Sequence, residues 1–203
     1  GQEERRGFVP ISGSTAEAGD SDEDEDGMED GSYIGYGFLI NQQYALDGSE
    51  LNDRTGNPLV YTKELPGLVG NNERTGIRLL KYHPSDGAYP GNLIVFRYAD
   101  AHLMKAEAIH RGGTADESAL GLVNELRELR QATPLESLTD QDLLEERGRE
   151  LYMEFTRRQD QIRFGTYTDT WEFKDNTEAF RVLFPIPSTA LTSNPNLEQN
   201  EGY

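Results

Sequence analysis

Apolar positions recur with a helical period only in the second half of the chain. Over residues 92–110 they fall at Tyr98, Ala101, Met104 or the stem of Lys105, Ala108 and Ile109, which predicts a helix with one buried stripe. Gly112 and Gly113 follow as C-terminal caps. Thr114 with Glu117 reads as a capping box that opens a second helix, with Leu120, Val123, Leu126, Leu129 and Arg130 on one face before Pro134. A link of four or five residues makes this pair antiparallel, and Ala101, Ala106, Ala108 and Gly121 allow a close approach. Thr139 caps a third helix, 140–162, whose stripe is Leu144, Gly148, Leu151 and Phe155. Acid precedes base by four residues at Glu145–Arg149 and Glu154–Arg158, the favourable order for exposed pairs. Residues 180–187 read as a short extended stretch, and 188–203 as a polar loop with a turn at Asn194-Pro195.

The first half shows no such period. Glycine and proline recur every few residues, at Gly35, Gly37, Gly48, Gly56, Pro58, Pro66 and Gly67 among others, which interrupts any helix. Short strands are predicted at 36–40, 59–62 and 77–82, where aromatic and branched residues cluster. A stretch this irregular needs another body of protein to lie against. The expected architecture is mostly α: a helical hairpin and a third long helix, beside an extensive loop-rich region with a few short strands. The change of pattern divides the chain into 1–91, loop-rich, and 92–203, helical.

Charge narrows the partners. Nineteen basic against 37 acidic residues give a net charge of -18, which disfavours nucleic acid and anionic membrane surfaces. Nine of the acids lie in residues 17–30, without a base among them. Fifteen arginines against four lysines, with the acid excess, fit either a salt-adapted host or a GC-rich genome. No apolar run approaches the roughly 20 residues of a membrane-spanning helix. The absence of cysteine rules out disulfides, thiolate metal sites and a Cys nucleophile in this stretch.

Several clusters resemble reactive chemistry. Glu146, Glu150 and Glu154 could supply a carboxylate pair of the kind glycosidases use. Arg147, Arg149, Arg157 and Arg158 interleave with them, so a structural ion-pair lattice is the expected reading. Asp22, Asp24, Asp26 and Gly27 match the opening of a calcium loop, but Tyr33 stands where a bidentate Glu belongs, which favours a solvated acidic loop. His83, His102 and His110 have no metal-binding spacing. No cofactor or metal is expected. Aromatics carry more information, because sugar rings stack their C–H faces on Tyr and Trp while their hydroxyls bond planar polar groups. Tyr33, Tyr36 and Tyr44 surround Asn41, Gln42 and Gln43 on glycine-rich loops, and Trp171 follows the third helix with Tyr167 and Glu172. These four aromatics are the candidate glycan contacts; packing against the helices is the alternative for each.

The second half also carries a series of phrases in a fixed order. They are Arg97-Tyr-Ala-Asp-Ala-His-Leu-Met-Lys-Ala-Glu-Ala108, Asn124-Glu-Leu-Arg127, Leu144-Glu-Glu-Arg-Gly-Arg-Glu-Leu-Tyr-Met-Glu-Phe-Thr-Arg157, Asp160-Gln-Ile-Arg-Phe-Gly165, Phe184-Pro-Ile-Pro187 and Asn194-Pro-Asn-Leu-Glu-Gln-Asn-Glu-Gly-Tyr203. Together they resemble the C-terminal part of the SusD/RagB family of surface glycan-binding lipoproteins. The resemblance implies a hairpin of tetratricopeptide type over 97–130, and a chain corresponding to the second half of a larger protein. It implies a non-enzymatic role: binding oligosaccharide, or less often peptide, at the outer membrane and delivering it to a TonB-dependent, SusC-like transporter. Anchorage through a lipidated N-terminus outside this chain is implied in the same way. The alternative is a tetratricopeptide-type protein-interaction scaffold without a small ligand.

Overall fold

A computed structural model describes residues 37–45, 49–81 and 94–203. The acidic stretch 17–30, Tyr33, Tyr36 and His83 lie outside the described residues. The order of elements is β1 (Gly37–Leu39), β2 (Asn41–Gln42), β3 (Val60–Tyr61), β4 (Arg78–Leu80), α1 (Tyr98–His110), α2 (Ala119–Leu129), α3 (Asp140–Glu150), α4 (Arg157–Arg163) and α5 (Ser188–Ser193). By compactness the chain divides into Gly1–Glu154 and Phe155–Tyr203, so the change of composition near residue 91 lies inside the first unit. The architecture is mostly helical with a few short strands, as the patterning predicts.

In the first unit α1 is the central helix. His102 meets the Leu122 carbonyl, Lys105 pairs with Glu117 at 2.7 Å, and His110 faces Asp140 at 3.1 Å, so α1 runs antiparallel to both α2 and α3. Leu103 and Ala106 of α1, Leu122, Val123 and Leu126 of α2, and Leu143, Leu144 and Leu151 of and after α3 form the buried apolar layer. The link between α1 and α2 is residues 111–118 rather than four or five, because α2 starts at Ala119 behind the N-cap Ser118, whose hydroxyl accepts from the Gly121 amide at 2.9 Å. Thr114 and Glu117 therefore do not form the predicted box; Glu117 is drawn to Lys105 instead. Thr139 caps α3 as expected, in a box completed by Asp142.

The buried face of α1 is not the predicted one. Ala99, Asp100, Leu103, Ala106 and Glu107 point inward, whereas Tyr98 is 83% exposed and Ala101, Met104 and Ala108 are also outward. The helix is apolar on two sides, and the inward side is selected by Asp100, which bonds Arg147 of α3 at 2.8 Å. The helix itself begins at Tyr98, with Arg97 extended before it. Its end follows expectation: the Gly113 amide reaches the Ala108 carbonyl and the Gly112 amide reaches that of Ile109, at 2.9 and 3.0 Å. Gly112 holds a φ of +102°, which closes a Schellman motif. The same pattern ends α2 with Gln131 at φ +56°, a cap without glycine. Leu129 is correspondingly exposed rather than buried.

The long third helix is interrupted. It stops at Glu150, and Met153 and Phe155 take φ values of +61° and +62° before α4 begins at Arg157. This left-handed elbow turns Glu154 toward Arg97 and Lys81 and leaves Phe155 79% exposed, outside the stripe assigned to it. In place of the expected Glu154–Arg158 pair, Arg158 donates to the carbonyls of Arg181 and Val182 and stacks on Phe184 at 3.9 Å. Bulky residues resist left-handed φ by roughly 1–2 kcal/mol. Phe155→Gly is therefore expected to stabilise the chain by about 0.5–1 kcal/mol after glycine's greater chain entropy is counted, a rise readable as melting temperature.

The loop-rich region is laced by short antiparallel pairings. β1 pairs with β4 in the register Gly37↔Leu80 and Leu39↔Arg78, and β2 pairs with β3 as Asn41↔Tyr61 and Gln42↔Val60. The strands expected at 36–40, 59–62 and 77–82 are present in shorter form. As expected they lean on other protein: Phe38 packs against Tyr152 at 5.1 Å between ring centroids, and Lys81 reaches the C-terminal end of α3. In the second unit, 180–187 is not wholly extended, since Ala179–Val182 forms a 3-10 turn. Residues 188–193 are α5, not loop, although the turn after Asn194 is present.

Candidate functional site

The glutamate ladder is the most strongly charged interior feature. Glu146 is fully buried and bonds Arg127 at 2.6 Å and Arg149 at 2.8 Å. Glu150 accepts from Arg97 at 2.7 Å and Arg130 at 3.0 Å. Glu154 holds Arg97 at 2.8 Å and Lys81, whose ammonium also donates to the Glu150 carbonyl and sits 4.4 Å from the Tyr152 ring centroid. Each carboxylate therefore bridges two cations, and most of those cations come from other elements, which spacing along α3 could not reveal. Burial pushes the Glu150 and Glu154 carboxyls up, but the Arg130, Arg97 and Lys81 bonds outweigh it and hold both below the ordinary value. For Lys81, burial outweighs Glu154 and lowers its pKa. Carboxylates held ionised at neutral pH between cations are poorly suited to act as a general acid. An ion-pair lattice is present as expected, but of the interleaved arginines Arg149 joins it while Arg147 pairs with Asp100 and Arg158 bonds backbone carbonyls; Arg97, Arg127, Arg130 and Lys81 are its principal partners.

The polar residues beside Tyr44 are largely engaged. Gln43 is buried and donates to the Ile40 and Asn41 carbonyls, and Gln42 donates to those of Gln43 and Leu51. These amides brace the strand cluster, so their N–H groups are not set aside for ligand hydroxyls. Tyr44 is half-buried and bridges Glu50 across the cluster. Among the described residues no group of three His, Asp or Glu side chains is arranged to hold a metal ion. No described helix is long and apolar enough to cross a membrane.

Trp171 lies in the second unit, where it is 45% exposed. The Lys174 ammonium sits 3.8 Å from its ring centroid and donates to the Tyr167 carbonyl at 2.8 Å, tying Trp171 and Tyr167 into one loop. Lys174 and the neighbouring Phe173 carry no signal in the hydropathy pattern; the aromatic pair at 171 and 173 beside a lone lysine was the available clue.

Comparison with known proteins decides what this arrangement belongs to. The model of the SusD family matches residues 33–182. The chain belongs to the SusD family. The starch-binding protein SusD of Bacteroides thetaiotaomicron is 36% identical over 147 residues, which cover 63% of this chain and 26% of that protein. SusD-like protein P38 of Formosa agariphila is 34% identical over 173 residues, 77% of this chain and 34% of that protein. The chain thus spans between a quarter and about a third of the length of these relatives. A crystal structure of a SusD superfamily protein from Parabacteroides distasonis aligns over 85% of this chain and 38% of its own, with a TM-score of 0.52 at 20% identity, and so shares the fold. The first of these relatives is named for starch binding.

Proposed function

We propose that this chain is part of a non-catalytic surface glycan-binding subunit that captures oligosaccharide and delivers it to a TonB-dependent, SusC-like outer-membrane transporter. Family membership across 33–182, with a starch-binding relative, is the observation that carries the reading. The Arg- and Lys-bridged glutamates support its non-catalytic character, since the acid pair that hydrolysis needs would have to come from elsewhere. The family further suggests an outer-membrane location and a lipid anchor at an N-terminus beyond this chain. Tyr33, Tyr36, Tyr44 and Trp171 are the proposed glycan contacts. A receptor that hands its cargo on needs modest affinity, which a few stacked sugars at an open surface provide.

A glycan array followed by alanine substitution at the four aromatics tests this. Tyr36→Ala is expected to weaken binding by roughly 1–3 kcal/mol, the scale of one lost stacked ring. Four single variants with unaltered glycan affinity and an intact fold would place the binding face elsewhere. One observation favours the scaffold alternative: the outward side of α1, with Tyr98 and Met104, is apolar and exposed, as a docking face for a protein segment would be. An array without any bound glycan would support that alternative.

A further inference from the structure

Resting on the glycan-binding reading, the structure of the second unit adds a place and a class of ligand. The Trp171 amide donates to the Lys174 carbonyl at 3.2 Å and the Lys174 amide returns to that of Trp171 at 2.8 Å. Glu172 and Phe173 are thereby the two corner residues of a tight turn. Phe173 takes a φ of +61°, a conformation suited to glycine or asparagine and resisted by a bulky residue. The residue is 43% exposed, so burial does not account for an aromatic at this corner.

Beneath the turn, the ammonium of Lys174 is anchored on the carbonyls of Tyr167 and Asp169 and lies against one face of the indole. That contact braces the ring from one side, and Trp171 remains 45% exposed. A strained corner, braced from within and presenting two rings to solvent, is the arrangement of a preorganised contact surface.

We propose that the Trp171–Phe173 corner is a stacking platform for the pyranose rings of an uncharged oligosaccharide. Residues 169–178 hold four acids, Asp169, Glu172, Asp175 and Glu178, against one base, Lys174, which is turned onto backbone carbonyls. Glu178 is engaged by Arg181, while Glu172, the residue between the two aromatics in the chain, is exposed. A carboxylate there accepts hydrogen bonds from sugar hydroxyls and repels uronate or sulfate groups. The rings supply the apolar contact for C–H faces, the other half of sugar recognition.

Trp171 is the one tryptophan in the sequence, so its fluorescence reports on this corner directly. Maltoheptaose, cellohexaose, laminarihexaose and the anionic hexagalacturonate are titrated into the protein, with calorimetry and tryptophan emission read in parallel. The expected result is that a neutral oligosaccharide binds and shifts the emission with the same Kd. Phe173→Asn keeps the left-handed corner and removes the ring; it should weaken that binding about tenfold at an unchanged or higher melting temperature, the scale of a lost stacking contact. Calorimetric binding with silent tryptophan emission and no effect of Phe173→Asn would overturn the platform and leave the glycan-binding reading standing. Binding of hexagalacturonate alone would overturn the ligand class. Absence of binding by all four probes and by a full glycan array would overturn the glycan reading, and the platform with it.

Discussion

Glu150→Ala is expected to destabilise the chain by about 3–5 kcal/mol, the usual cost of removing one partner from a buried charge network. Glu150 is the buried carboxylate between Arg97 and Arg130, and its loss removes the anion that offsets the repulsion between those two guanidinium groups. Urea denaturation reads the effect as a lower midpoint at constant slope. The control is Glu145→Ala on the exposed side of α3, where the pair with Arg149 at 3.4 Å should contribute less than about 0.5 kcal/mol. Equal effects at the two sites would mean that the lattice is no more than surface charge. The same network sets an acid limit. Because the Glu150 and Glu154 carboxyls lie below their ordinary value of 4.5, their contribution is fully present above that pH. It is lost as the pH falls through their depressed folded values, so melting temperature should be level near neutrality and drop below about pH 4.

Leu151→Ala is expected to cost roughly 2–5 kcal/mol, in the range of fully buried leucine truncations. Leu151 is 2% exposed and caps α3, its amide bonded to the Arg147 carbonyl at 2.9 Å. The cavity would open just before the left-handed elbow, where the chain has little freedom to collapse into it. A loss below about 0.5 kcal/mol would show that this position is solvated.

The same elbow marks a limit of reading along the chain. Residues 149–156 contain neither glycine nor proline, and an apolar spacing of three and four continues through Leu151 to Phe155. Nothing local announces that the helix ends at Glu150. The cause is tertiary: Glu154 is claimed by Arg97 and Lys81, 57 and 73 residues earlier, and positive φ at 153 and 155 is what turns it there. The inward side of α1 was hidden for a related reason. Asp100 and Glu107 are polar, so hydropathy sets them outside, yet the partner Arg147 brings Asp100 into the core. Where the physics is local, the sequence was legible. Gly112-Gly113 ends α1, Thr139 starts α3, and branched residues between turn formers become strands. α5 escaped notice because it is six residues long and mostly polar.

For the candidate site, residue type was readable but arrangement was not. An exposed Trp171 could be expected from its loop; the ammonium that braces it depends on a turn whose strained residue is a phenylalanine. The amides beside Tyr44 look available in the sequence and are largely consumed in the fold by backbone carbonyls.

Non-catalytic capture of oligosaccharide is the central claim, and one calorimetric titration addresses both of its halves. Injecting the array-selected oligosaccharide into the protein should give a saturable isotherm of modest affinity and a flat baseline after each injection, with the sugar recovered intact from the cell. A continuing heat of reaction with shortened sugar, or an isotherm indistinguishable from dilution, would contradict it.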